Sequence, residues 1–214
     1  MSQTLDQASA LLAAAQSTRM HAYISLCLAT SIRTEEARAL RGEHVDFGNP
    51  DADPPVLASA AVWRSVRSHG DTKTDKSRRT LALPRMAVDA LRAHKQRQAA
   101  HLQTAGARWS DHCLVFATRT GAPLDTANVR REYKAACKAA NIGPDWTPRE
   151  LRHSFVSLMC SSGVPVEEIA RLTGHSSSRT TEVVYPTPPL RELRPVLTTG
   201  AEAMYTFFKT PAPK

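Results

Sequence analysis

Helical residue spacing governs the first part of this chain, gives way between residues 45 and 83 to short β-rich runs broken by turn residues, and then returns to the end. A block of that kind makes a small antiparallel sheet or hairpin, and the helices on either side must supply the core. The expected fold class is therefore α+β, mainly helical. Before the block, Thr4 and Gln7 stand at capping-box spacing ahead of an alanine-rich run. Tyr23, Ile24, Cys27 and Leu28 share one face of a second helix, and a short third helix over residues 35–40 starts at Thr34 and stops at Gly42. Inside the block, strands are expected at 45–47, 56–63 and 80–83, with a turn over 49–55 and a polar hairpin tip over 68–79.

Helices resume over residues 84–103, followed by an apolar run at 114–117 that Thr120-Gly121 ends. Thr126 caps a helix terminated by Gly143 and Pro144. Thr147-Pro148-Arg149-Glu150 combines an N-cap, a proline at the first helical position and a glutamate three residues after the cap, a strong helix start. That helix ends near Ser162-Gly163, and further helices are expected over 166–172 and 178–185, the last stopped by Pro186. No internal repeat is present.

At 214 residues the chain can bury a core without disulfides or metal. Its charge is unbalanced: 28 Lys and Arg oppose 20 Asp and Glu, for a net +8. Much of the excess falls between Ala61 and Ala100, where only Asp71, Asp75 and Asp89 oppose Arg64, Arg67, Lys73, Lys76, Arg78, Arg79, Arg85, Arg92, Lys95 and Arg97. A polyanion is the partner such a stretch fits, because neutralising phosphates releases counterions; a well-solvated basic surface is the plainer alternative. Cys27, Cys113, Cys137 and Cys160 form no Cys-x-x-Cys pair, and three of the four sit in apolar or alanine-rich segments, which fits a reduced compartment. The first residues contain Asp6 and no basic leader, and no apolar run reaches membrane-spanning length, so an intracellular, cytoplasmic protein is expected.

Four polar features stand out. Arg33 follows an apolar segment just before the third helix. Arg149 and Arg152 are three residues apart on the helix opened by Thr147, with His153 beside them. His175 follows Gly174 at a helix end, and Tyr185 directly precedes a proline. Each has an ordinary explanation: an ion pair between Arg33 and Glu36, a turn residue at His175, half-buried packing at Tyr185.

Together these features resemble the tyrosine recombinase (phage integrase) family over nearly the whole chain. Thr30-Ser31-Ile32-Arg33-Thr34-Glu35-Glu36 resembles the family's first box, with its arginine followed three residues later by glutamate. Thr72-Lys73-Thr74-Asp75-Lys76 resembles the lysine hairpin, Thr147-Pro148-Arg149-Glu150-Leu151-Arg152-His153 the second-arginine box, and Leu172-Thr173-Gly174-His175 the histidine box. Tyr185 lies ten residues after His175, close to the family's spacing.

The resemblance implies the family's catalytic-domain fold over residues 1–190, a small sheet packed on a helical core, and a tail over 191–214 whose Met204, Phe207 and Phe208 either dock on a neighbouring protomer or cover the chain's own core. It implies a site-specific recombinase or integrase in which Tyr185 attacks DNA to give a 3′-phosphotyrosyl link, with no cofactor, metal or ATP. Arg33 and Arg152 are then phosphate forks, Lys73 the acid for the departing 5′-oxygen with Lys76 its competitor, and His175 a hydrogen-bond donor to the phosphate. Arg64, Arg67, Lys76, Arg78 and Arg79 are expected to bind DNA, and the family likeness implies a tetramer on double-stranded DNA, away from membranes. The wording of the boxes and the alanine- and arginine-rich composition point to a bacterial mobile element.

Two departures qualify the likeness. The second-arginine box usually begins with histidine, and Arg149 stands there; an arginine holds phosphate but does not readily accept the tyrosine's proton. The first box begins near residue 30, which leaves no room for the family's N-terminal DNA-clamping domain, expected to be absent here. The competing functions are a non-catalytic DNA-binding remnant, a helix-turn-helix built from residues 153–163 and 166–172, and relaxation of DNA in the manner of a type IB topoisomerase.

Overall fold

The computed structural model describes residues 2–62 and 79–173. Arg64, Arg67, Lys73, Lys76, Arg78, His175 and Tyr185 lie outside the described residues, as do the expected helix over 178–185, the tail and most of the hairpin tip. The elements run α1 (Leu5–Ala15), α2 (Arg19–Thr30), α3 (Thr34–Ala39), β1 (Val45–Asp46), β2 (Ser59–Val62), β3 (Arg79–Ala82), α4 (Arg85–Ala105), α5 (Thr126–Ala139), α6 (Arg149–Ser161) and α7 (Val166–Thr173). The α+β, mainly helical class expected from the pattern is the one observed.

The core is organised around α2. Every residue from Ala22 to Thr30 is buried, although only one apolar face was expected of this helix. The reason is legible in hindsight: the stretch carries no charged residue, as befits a helix packed on all sides. α1, α4 and α6 pack against it. α1 opens with the predicted capping box, Thr4 Oγ1 accepting from the Gln7 N–H and Gln7 Oε1 accepting from the Thr4 N–H, and it buries Ala8, Leu11, Leu12 and Ala15 at helical spacing. Tyr23 of α2 meets the edge of Phe116, with ring centroids 5.3 Å apart.

The three strands form one antiparallel sheet in the order β1-β2-β3, with Val45 opposite Ala60 and Val62 opposite Arg79. It is shorter than predicted. Gly48 takes a left-handed φ of +67°, and a Cβ there would lie 2.5 Å from the Val56 carbonyl oxygen. This close crossing ends β1 early and lets Asn49 and Val56 exchange two 2.9 Å hydrogen bonds as an isolated bridge. Regular pairing resumes only at Ser59, past Leu57, which is 73% exposed.

Helix starts also shift by a residue. α5 has Asp125, not Thr126, at its cap, because the Thr126 hydroxyl accepts from Arg38 Nη1 at 2.7 Å. α6 buries Leu151, Ser154, Phe155, Leu158 and Met159, ends at Gly163 with φ +76°, and shares a smaller apolar cluster with Ile169 of α7. Cys27 and Cys137 are buried as expected, while Cys113 is exposed. No helix among the described residues is long and apolar enough to cross a membrane.

Candidate active site

Both arginine boxes are opened by the same local device. At the first, Ser31 caps α2 in the left-handed conformation (φ 57°, ψ 22°), its N–H donating to Cys27 O at 3.0 Å. The chain therefore turns sharply and enters α3 with Arg33 extended at the N-cap. Glu36, in the first turn of α3, reaches back to accept from the Arg33 N–H at 2.9 Å. At the second box, Glu150 accepts from the Thr147 N–H at 2.8 Å. The Thr147 hydroxyl donates to that same carboxylate instead of capping a backbone N–H, and α6 proper begins at Arg149 after Pro148 has taken helical angles.

Glu36 is the hub of the first box. It is 4% exposed, and its two oxygens accept four hydrogen bonds: from the Arg33 N–H, from Arg33 Nη1 (2.8 Å), and from Arg79 Nη1 (3.1 Å) and Nη2 (2.9 Å). Burial alone would raise its pKa, but the Arg79 hydrogen bonds and charge, with Arg33 behind them, outweigh it and pull the carboxyl down to about 2. The ordinary explanation of Arg33, an ion pair with Glu36, is thus present, and it leaves the Arg33 side chain 36% exposed. An arginine so held keeps one edge tied down and another toward solvent, as a phosphate fork requires.

Arg152 of α6 joins the two boxes. Its Nη1 donates to the Ser31 carbonyl, two residues before Arg33, and its Nη2 donates to the Thr173 carbonyl at 2.7 Å. Thr173 is the last residue of α7 and immediately precedes Gly174-His175 in sequence. One guanidinium therefore ties together the turn that carries Arg33 and the helix that leads to His175. Carbonyl contacts orient it without cancelling its charge.

Arg149 is exposed at the start of α6. His153 is half-buried, and burial, with the charge of Arg149 added, lowers its pKa below the usual histidine value. Arg79 is described, and both terminal nitrogens of its side chain lie on Glu36. Sequence reasoning had Glu36 as an ion-pair partner of Arg33 and as the glutamate of the first box, and missed the carbonyl anchors at Ser31 and Thr173. The Glu36 spacing carried a signal, but the Glu36–Arg79 pair spans 43 residues and left none.

A cavity of about 370 Å³ lies elsewhere, lined among others by His94, Gln98, Trp109 and Val115, and none of the expected site residues among the described residues borders it. Arg149 is exposed, and Arg33 and Arg152 are partly exposed. Among the described residues, no group of three or more His, Cys, Asp or Glu side chains is arranged to hold a metal ion.

Comparison with known proteins bears on family and fold. The chain is 54% identical over 209 residues to an integrase of Streptomyces ambofaciens, covering 96% of this chain and 53% of that protein. It is 30% identical over 187 residues to the tyrosine recombinase XerC of Mycobacterium tuberculosis, covering 83% of this chain and 56% of the relative. The chain thus spans about half the length of the curated relatives it matches. Its fold is that of the XerA recombinase crystal structure (TM-score 0.68, 22% identity, 99% of this chain and 66% of that one) and of the Tn1549 transposon integrase in complex with circular intermediate DNA (TM-score 0.68, 17% identity, 89% and 64%). The model of the phage integrase family matches residues 3–188. With that model covering most of its length and a relative more than half identical, the chain belongs to the phage integrase family.

Proposed function

We propose that this chain is the catalytic portion of a site-specific tyrosine recombinase that cuts and rejoins double-stranded DNA. The observation that carries the reading is the anchoring of Arg152 on the Ser31 carbonyl, which draws the second-arginine box onto the turn that presents Arg33. In the proposed reaction Tyr185 Oη attacks the scissile phosphorus, a P–O bond to Tyr185 forms, and the bond to the 5′-oxygen breaks. The tyrosine proton passes to water or a nearby base, and Lys73 gives a proton to the departing 5′-oxygen, with Lys76 as its competitor. Arg33 and Arg152 stabilise charge on the non-bridging oxygens, and His175 donates to them. A second attack by a 5′-hydroxyl reverses these steps on a new strand.

Arg149 holds phosphate and stays charged, so it does not serve as the base. Arg64, Arg67 and Arg78 bind the DNA backbone, and the protein works on DNA as a homo-oligomer, a tetramer whose tails dock through Met204, Phe207 and Phe208 on the neighbouring protomer. Its likeness to an integrase of Streptomyces ambofaciens and to the tyrosine recombinase XerC of Mycobacterium tuberculosis supports a cytoplasmic, DNA-associated protein in a bacterium.

The test is trapping of the intermediate. A pool of labelled, nicked duplexes of varied sequence loses the short strand on cleavage, so a covalent adduct accumulates and migrates slowly on a denaturing gel. The expected result is an adduct with the wild-type chain and none with Tyr185→Phe. Removing Arg33 or Arg152 is expected to reduce its rate by on the order of 100-fold or more. No adduct, with salt-sensitive binding intact, would leave a DNA-binding protein without cleavage activity.

A further inference from the structure

We infer that Arg79 is a positioning residue, which holds Arg33 in its working orientation through Glu36 rather than gripping DNA itself. The inference rests on the proposed roles of Arg33 and Lys73. Arg79 falls in the basic stretch and by charge alone belongs with the phosphate contacts. Its geometry assigns it elsewhere: the side chain is 13% exposed, and Nη1 and Nη2 both point at the Glu36 carboxylate, 3.1 and 2.9 Å from its two oxygens. A fork spent on a buried carboxylate does not present its edge to a phosphate.

What Arg79 does instead follows from the four bonds at Glu36. Oε1 accepts from Arg33 Nη1 and Arg79 Nη1, and Oε2 from the Arg33 N–H and Arg79 Nη2. Each oxygen is shared between the two arginines, so the position of one guanidinium constrains the other. Arg79 also keeps Glu36 ionised, and an ionised Glu36 is what holds Arg33 at both its N–H and its side chain.

The placement of Arg79 extends this to the hairpin. It is the first residue of β3, directly opposite Val62 at the end of β2, and the connection between those two residues carries Lys73. Glu36 thus joins Arg33 to the root of the segment that bears the proposed acid. Two groups that must meet the same phosphate are referred to one buried carboxylate.

The experiment compares wild type, Arg79→Met and Arg79→Lys on the nicked duplex pool, with melting temperatures measured so that all assays run well below unfolding. Adduct formation by Arg79→Met is expected to slow by on the order of 100-fold. Lysine, which keeps the charge without the fork, is expected to recover part of the loss. The slope of log affinity against log salt is expected to stay at the wild-type value. The acid limb of the cleavage profile is expected to move to higher pH in Arg79→Met, because Glu36 loses its main donors. The groups facing Glu36 are Arg33, Arg79 and, from α2, Cys27, whose buried thiol is pushed up and stays protonated.

An Arg79→Met protein that cleaves at the wild-type rate, or whose acid limb stays in place, would overturn the inference. So would a salt slope smaller by about 1, the mark of a lost phosphate contact. If wild type yields no adduct, the recombinase reading fails and a separate measurement decides this one. The Arg33 guanidinium signals in nuclear magnetic resonance should be ordered in wild type and averaged in Arg79→Met; identical spectra would sink the positioning role.

Discussion

Glu36 and His94 are buried to nearly the same degree, 4% and 5% exposed, and they settle in opposite charge states. Burial pushes each toward its neutral form. Glu36 resists because four donors, two guanidiniums among them, surround its carboxylate, and it stays ionised down to about pH 2. His94 yields. Its ring stacks obliquely on Phe116 at 5.2 Å, Nε2 donates to the Val115 carbonyl at 2.8 Å, and Nδ1 has no partner among the described residues. Burial therefore carries its pKa down to about 4, with a contribution from the Arg97 charge, and the ring is neutral at physiological pH. Depth alone does not decide whether a buried group is ionised; the partners built around it do. The charged solution lies between two arginines, and the neutral one lies in the core, 21 residues from its carbonyl partner.

The sharpest way to break this comparison is to remove the carboxylate. Glu36→Ala leaves Arg79 and Arg33 facing a site that no longer compensates them, and it should cost about 3–5 kcal/mol of stability in urea unfolding. A loss near zero would mean that the four bonds contribute little beyond what water supplies. Acid titration sharpens the comparison further. The Glu36 pKa is depressed from an ordinary 4.5 to about 2, so its contribution is complete above pH 4.5 and is lost as pH falls toward 2. The whole step is on the order of 3 kcal/mol.

His94 is depressed from 6.5 to about 4, so the unfolded chain takes up this proton first and stability is lost as pH falls from 6.5 to 4. By the same conversion its step is at most on the order of 3 kcal/mol. Wild type should thus lose stability in two windows. His94→Gln, which keeps a donor for the Val115 carbonyl but does not titrate there, should remove the largest part of the upper window, leave the part due to His21 and His153, whose pKa values burial also lowers, and spare the lower window. An unchanged slope between pH 6.5 and 4 would show that His94 is not the group responsible.

How far this could be read beforehand follows the range of each interaction. The class of fold, the α1 capping box and the start of α6 depend on residues a few positions apart, and the sequence displayed them. Arg33 and Arg152 could be proposed as site residues because their boxes are local patterns. The pairing of Glu36 with Arg79 is a tertiary event across 43 residues, and nothing near either residue announces it. The wrapping of α2 was underestimated for a related reason, since periodicity detects one buried face and is silent when all faces are buried. The short strands came from a backbone crossing at Gly48, a close approach that hydrophobic patterning does not encode. Lys73, His175 and Tyr185 remain sequence assignments, outside the described residues.

Ser31 supplies a third, subtler case beside Glu36 and His94: a buried polar group that is neither charged nor paired. Its side chain is 0% exposed, its hydroxyl has no partner among the described residues, and its backbone sits at φ 57°, where a Cβ is unfavourable. The contact with Arg152 is made by the carbonyl of this residue, which receives Arg152 Nη1. Ser31→Gly removes the orphan hydroxyl and the left-handed strain together, at some cost in unfolded-chain entropy. The net effect should be a gain of about 0.5–1 kcal/mol, seen as a rise in melting temperature of about 2–4 °C. Ser31→Ala keeps the strain and loses only the hydroxyl, so it should fall near wild type. Ser31→Val places a branched side chain in the left-handed region and should destabilise by roughly 1–3 kcal/mol. The order glycine, alanine, valine tests backbone strain at constant burial. A glycine variant less stable than wild type would mean that the hydroxyl has found a partner, and Ser31 would then join Glu36 as a buried group whose neighbours were built for it.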